Sequence, residues 1–172
     1  MTMTLIETKT LGTAAASIEF TSIPQDGTDL VAVCSLRASD TGPWASIQLN
    51  GSTANFSRRA LEGYGSSVAS NSRTDGLNTQ VQNPSNYTSN TFSSGTIYIP
   101  NYTGSTAKSF SVDTVAENNA TDTVTVISAH LWNNTAAITS LAIVAQVGQL
   151  VAGSTISLYK ITKGTDGIVV VS

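Results

Sequence analysis

Apolar and polar residues alternate along much of this chain with a period of two, the mark of a strand that turns one face toward a core. Ile18 and Phe20 alternate with Ser17, Glu19 and Thr21, and residues 44–49 (WASIQL) repeat the pattern. In 123–132, Val124, Val126 and Ser128 fall on one side. Residues 30–36 (LVAVCSL) are apolar almost without interruption, which predicts a strand buried on both faces. Further strands are predicted over 96–99, 109–115, 155–161 and 168–171, and within 138–147. Turn-forming residues separate them: Pro24-Gln25-Asp26-Gly27, Asn133-Asn134-Thr135 and Lys163-Gly164-Thr165-Asp166-Gly167. Asn50-Gly51 predicts a tight hairpin turn, with 54–57 as the returning strand.

About eight to ten strands at this spacing, with no helical stripe and no internal repeat, predict an all-β chain. The architecture that fits is an antiparallel two-sheet sandwich of jelly-roll type. Residues 14–172 then form a single β-sandwich domain, preceded by a Thr-rich N-terminal arm at 1–13. A long excursion at about 61–94, rich in Ser, Asn, Thr and Gly, breaks the strand pattern. An excursion of that length in a compact domain points to a partner contact or a mobile loop.

Composition sharpens the fold class. Thr, Ser and Asn supply 60 of 172 residues, whereas only 11% are charged, so the polar surface is made of residues that suit strands and turns rather than helices. A net charge of −3 argues against a phosphate-tracking surface and hence against nucleic acid as a partner. A single cysteine, Cys34, excludes an intrachain disulfide framework and reads as a small buried hydrophobe. The start of the chain lacks a basic, then apolar leader, and the most apolar stretch, 138–152, is too often interrupted to span a bilayer. The expectation is a soluble protein made in a cytoplasm, with no membrane association.

Candidate chemistry is thin. Asp40-Thr41-Gly42 matches the aspartic-protease tripeptide, but the preceding Arg37-Ala38-Ser39 is not the apolar strand that such a site needs, and the motif reads as a turn. Asp26 with Asp29 and Asp113 with Glu117 are carboxylate pairs of the kind a glycosidase uses, yet both read as solvated turn or strand-end residues. His130, the only histidine, reads as a packing residue. No catalytic, cofactor-binding or metal-ligating set is expected. Six Asn-x-Ser/Thr sequons follow from composition alone. The residues left as candidate partner contacts are the basic pair Arg58 and Arg59, suited to carboxylates, and the aromatics Tyr64, Tyr87 and Tyr102.

Several segments together resemble a known group. They are residues 42–51 (GPWASIQLNG), 97–102 (IYIPNY), 109–113 (SFSVD), 117–121 (ENNAT), 131–138 (LWNNTAAI) and 153–159 (GSTISLY), with Lys160 standing where the pattern has glycine. The string resembles small virion structural proteins of tailed bacteriophages, especially those of cyanobacteria, over about residues 30–161. The resemblance implies a jelly-roll capsid decoration, or cement, protein. Such a protein is a non-enzymatic homotrimer that clamps neighbouring major capsid protein subunits on the virion surface. A receptor- or glycan-binding head domain of a fibre shares the same fold type and is the alternative expectation. That alternative would use Tyr64, Tyr87 and Tyr102 as exposed stacking residues.

Overall fold

A computed structural model describes residues 2–74, 78–79, 82–118 and 123–163. Twelve strands form in chain order: β1 (Thr2–Thr10), β2 (Ser17–Phe20), β3 (Asp29–Ser35), β4 (Ala45–Leu49), β5 (Phe56–Tyr64), β6 (Ser67–Arg73), β7 (Asn78–Thr79), β8 (Ser94–Ile99), β9 (Lys108–Ala116), β10 (Val124–Trp132), β11 (Leu141–Ala145) and β12 (Thr155–Thr162). Among the described residues there is no helix.

The strands make two antiparallel sheets, an eight-stranded one ordered β1-β12-β3-β8-β9-β10-β5-β6 and a smaller one ordered β2-β11-β4-β7. Removing the hairpins β5–β6 and β9–β10 leaves β1-β12-β3-β8 against β2-β11-β4-β7. The chain crosses between these two sheets as a jelly roll requires. The two hairpins pair with each other through β10 and β5, and they extend the larger sheet by four strands.

The core lies between the two sheets. Leu30, Ala32 and Cys34 from β3, Ile97 and Ile99 from β8, and Ile156 and Leu158 from β12 meet Ile18 and Phe20 from β2, Ile47 and Leu49 from β4, and Leu141 and Ile143 from β11. All are nearly inaccessible to solvent, and each of the leucines, isoleucines and Phe20 contributes about 1.5–3 kcal/mol by leaving water. In β3 the alternation is cleaner than the sequence suggested. Val33 is 44% exposed on the outer face, so this strand is buried on one face rather than two.

Three other expectations are corrected. The stretch read as an arm, 1–13, contributes β1, which pairs with β12 from Thr2↔Thr162 to Thr10↔Thr155 around a register shift between Leu5 and Glu7. The excursion at 61–94 is largely ordered by pairing. It holds the end of β5 and all of β6, and a loop from 82 to 93 folds back onto the end of β3. Asn50 and Gly51 do make the tight turn, with φ of 53° and 67° and a hydrogen bond from Ser52 N to Leu49 O. Yet the chain does not return beside β4. It crosses to the larger sheet, where Phe56 begins β5 opposite Trp132 of β10. The strand expected at 168–171, with part of its preceding turn, lies outside the described residues.

The extension is built unlike the jelly-roll half. Its inner face carries Phe56, Arg58, Ala60 and Glu62 on β5, with Val124, Val126, Ser128, His130 and Trp132 on β10, all buried. The cover over this face is supplied by loops, not by strands. Trp44 stacks under Arg58, Gln82 donates to the carbonyls of Gly42 and Trp44 at 3.0 and 2.9 Å, and Tyr87 packs on Ala60, Val124 and Val126.

Candidate functional site

The loop that carries Tyr87 is shaped by one buried guanidinium. Arg37, just past the end of β3, donates from Nη1 to the carbonyls of Thr88 and Thr91, both at 2.8 Å, and from Nη2 to those of Ser85 and Tyr87 at 3.1 and 2.9 Å. Backbone bonds from Asn83 N to Leu36 O and from Ser85 N to Asp40 O fasten the same loop to the segment after β3. A planar fork with five donors suits this task, because a loop with no ladder partners leaves its carbonyls to be satisfied some other way. Nothing in the sequence pattern singled out Arg37; its role follows only from the loop being adjacent.

Tyr87 is thereby held across a cleft from Tyr64, the last residue of β5. The cleft has a volume of about 510 Å³, and Thr41, Pro43, Ser66, Pro84, Asn86 and Thr123 contribute to its lining. Its size falls in the range of about 300–1,000 Å³ typical of small-ligand sites. Two tyrosines and two prolines make the apolar walls, hydroxyls and one amide make the polar points, and none of the lining residues is charged. Such a lining fits a neutral polyol or a polar peptide better than an ion. Tyr64 Oη donates to Glu62 Oε2 at 3.1 Å, which ties the cleft wall to the interior of the extension.

The other sequence candidates separate. Arg58 is a correction: its side chain is wholly buried, paired with Glu62 at 3.2 Å, bonded to Asn71 and stacked on Trp44, so it has no surface to offer a partner. Desolvation pushes its pKa down, opposed by the charge of Glu62. Arg59, its neighbour, is exposed on the opposite face of the sheet. Tyr102 is also a correction, since it is a core residue with no exposed area. Its hydroxyl donates to the Pro24 carbonyl and accepts from Gly27 N, clamping the turn between β2 and β3.

The groups weighed for chemistry are engaged in structure. Gly42 N donates to Asp40 Oδ1 at 3.2 Å, which makes Asp40-Thr41-Gly42 a turn. Asp26 is exposed and bound to Lys160, whose hydrogen bond holds its carboxyl below the usual carboxylate range. Asp29, expected as a solvated turn residue, is buried and accepts from Tyr98 Oη at 2.8 Å and Asn101 N at 3.0 Å. His130 stacks on Phe110 with ring centroids 4.9 Å apart and bonds Ser128 Oγ at 2.9 Å. Burial, then the neighbouring Arg58 charge, push its pKa down to about 3. Burial pushes the Cys34 thiol up to about 12. Among the described residues no cluster of three or more His, Cys, Asp or Glu side chains is placed to hold a metal ion.

Comparison of the chain with protein-family models, with curated proteins and with solved structures returned no match.

Proposed function

We propose that this chain is a non-enzymatic structural protein of a tailed-bacteriophage virion. In this reading it decorates the head as a homotrimer and clamps neighbouring major capsid protein subunits. The observation that carries the reading is the outer face of the eight-stranded sheet. On its jelly-roll half Met3, Leu5 and Val33 are each at least 44% exposed, among serines and threonines. Scarce charge lets such a face lie against another protein with little ion desolvation. A rigid two-sheet core suits a clamp that must hold its shape under load, and many copies bound at once add multivalent strength. The resemblance of segments 42–51, 97–102 and 131–138 to phage virion proteins supplies the biological setting.

Quantitative mass spectrometry of purified virions tests the proposal. Copies numbering in the hundreds, in fixed ratio to the major capsid protein, support it. A handful per particle, or none, refutes the decoration role.

A second reading rests on the cleft between Tyr64 and Tyr87. Paired aromatic walls with neutral polar points are what a receptor- or glycan-binding head domain needs. A glycan array separates the two readings. Binding that Tyr87→Ala abolishes favours the receptor head, and binding unchanged by that variant removes the cleft from consideration.

A further inference from the structure

The extension carries large apolar residues on both faces. Toward the protein interior Arg58, Glu62, Lys108, Thr114, Ser128 and His130 lie among Phe56, Phe110, Val112, Val124, Val126 and Trp132, all buried. Toward solvent it presents Leu61 at 54% exposure, Val68 at 75%, Val115 at 50%, Ile127 at 61% and Leu131 at 38%. An antiparallel sheet with one wet face ordinarily keeps its large apolar residues on the covered face alone. Large apolar side chains gathered on one open face mark an interaction surface.

The register locates these residues. On adjacent strands β5, β10 and β9, Leu61 lies opposite Ile127, which lies opposite Asp113. One step along, Arg59 lies opposite Ala129, which lies opposite Ser111. Arg59 and Asp113 are the charged residues of β5, β6, β9 and β10 on this outer face, and both are exposed. Neither forms an ion pair or a side-chain hydrogen bond among the described residues. They sit diagonally on either side of β10, with Ile127 and Ala129 between them.

This arrangement is self-complementary. A two-fold axis lying in the plane of the face, and crossing β10 between Ile127 and Ala129, carries Arg59 of one copy onto Asp113 of the other and the reverse. Val68, Leu61 and Ile127, which lie along that axis, then meet their own equivalents. Four strands of seven to nine residues span about 19 by 30 Å. Because that axis runs oblique to the strands, two such faces overlap over about 19 by 20 Å and cover on the order of 800 Å², the size of a weak, reversible contact.

The geometry points to the outer face of β5, β6, β9 and β10 as a two-fold contact whose occupant is a second copy of this chain, closed by two reciprocal Arg59–Asp113 ion pairs. The contact is reversible, as its area requires. It leaves the jelly-roll half free, so a threefold contact made elsewhere gives six chains rather than two. This inference stands on the face itself and not on the virion setting.

Native mass spectrometry and sedimentation equilibrium of the full chain test it, with four variants compared against the wild type. The wild type is expected to populate assemblies of two or six chains, and Ile127→Arg to halve that number. Arg59→Asp and Asp113→Arg each place two like-charged pairs in the contact, so each is expected to weaken association about tenfold or more. The double swap Arg59→Asp with Asp113→Arg is expected to restore it to within about threefold of wild type, which a merely structural effect would not do. All three positions are exposed, and circular dichroism and the unfolding midpoint report that the variants keep the fold. Wild type found as one or three chains overturns the proposal. So does association indifferent to Ile127→Arg, as pairing through the β6 edge would give, and so does a double swap no better than its single changes.

Discussion

Glu62→Gln probes the interior of the extension most sharply. It keeps the shape of the side chain and an acceptor for Tyr64, and removes only the charge that faces Arg58 at 3.2 Å. The side chains of Arg58 and Glu62 are 0% and 5% exposed, so water screens little of the pair. At that separation and an effective dielectric constant of about 20 the gross attraction is about 5 kcal/mol. Breaking a buried pair by removing one partner costs about 3–5 kcal/mol, because the surviving charge stays buried. The hydrogen bond from Arg58 to Asn71 and the stack on Trp44 remain in the variant and place the expected loss at the low end, about 3 kcal/mol. For a chain of this size that lowers the melting midpoint by about 6–12 °C. Urea unfolding followed by tryptophan fluorescence measures it well, since Trp44 stacks on Arg58 and Trp132 is buried at the other end of the same face. Removing both charges in Arg58→Met with Glu62→Leu is expected to cost less than Glu62→Gln alone, because no isolated charge is left behind. A Glu62→Gln midpoint shift equivalent to less than about 0.5 kcal/mol, the worth of an exposed pair, would mean that the Arg58–Glu62 pair is screened by water.

Three further outcomes follow from buried groups. His130 has a folded pKa of about 3 against an unfolded value near 6.5, so the unfolded chain gains a proton first on acidification. Stability is therefore unaffected above about 6.5 and falls between 6.5 and 3, by about 1.4 kcal/mol per pH unit from this group. The slope between pH 6.5 and 5 is expected to flatten in His130→Phe, measured by urea midpoints across that range. Cys34, with its thiol pushed up to about 12 and 2% exposed, is expected to react with a thiol reagent only as fast as the protein opens. Labelling of native protein at a rate near that of the unfolded chain would contradict its placement. Tyr102→Phe removes the hydroxyl that serves both Pro24 O and Gly27 N, and is expected to cost about 1–3 kcal/mol in denaturant unfolding.

The strands were legible where alternation was strong. β2, β4, β8, β9, β10 and β12 lie within two residues of where the period of two put them. β1 was hidden because its alternation is short, its apolar residues Met3 and Leu5 turn to solvent, and its partner β12 begins some 150 residues away. β5 and β6 were hidden for a different reason. Their inward positions mix Arg58, Glu62 and Asn71 with Phe56 and Ala60, and their outward positions mix Leu61 and Val68 with Arg59 and serines, so no clean alternation survives. Arg58 and Tyr102 were misplaced by residue type, since a guanidinium and a phenol are read as surface groups until their buried partners are visible. Tyr64 and Tyr87 were legible as residues, but their meeting across one cleft depends on Arg37 gathering four carbonyls of a loop.

Electron cryomicroscopy of the intact virion would locate the chain on the particle. Jelly-roll density is expected on the outside of the head, at lattice positions between neighbouring major capsid protein subunits, with the eight-stranded sheet's outer face in protein contact. Density confined to the tail or a fibre tip, or an outer sheet face left open to solvent in every copy, would contradict that expectation.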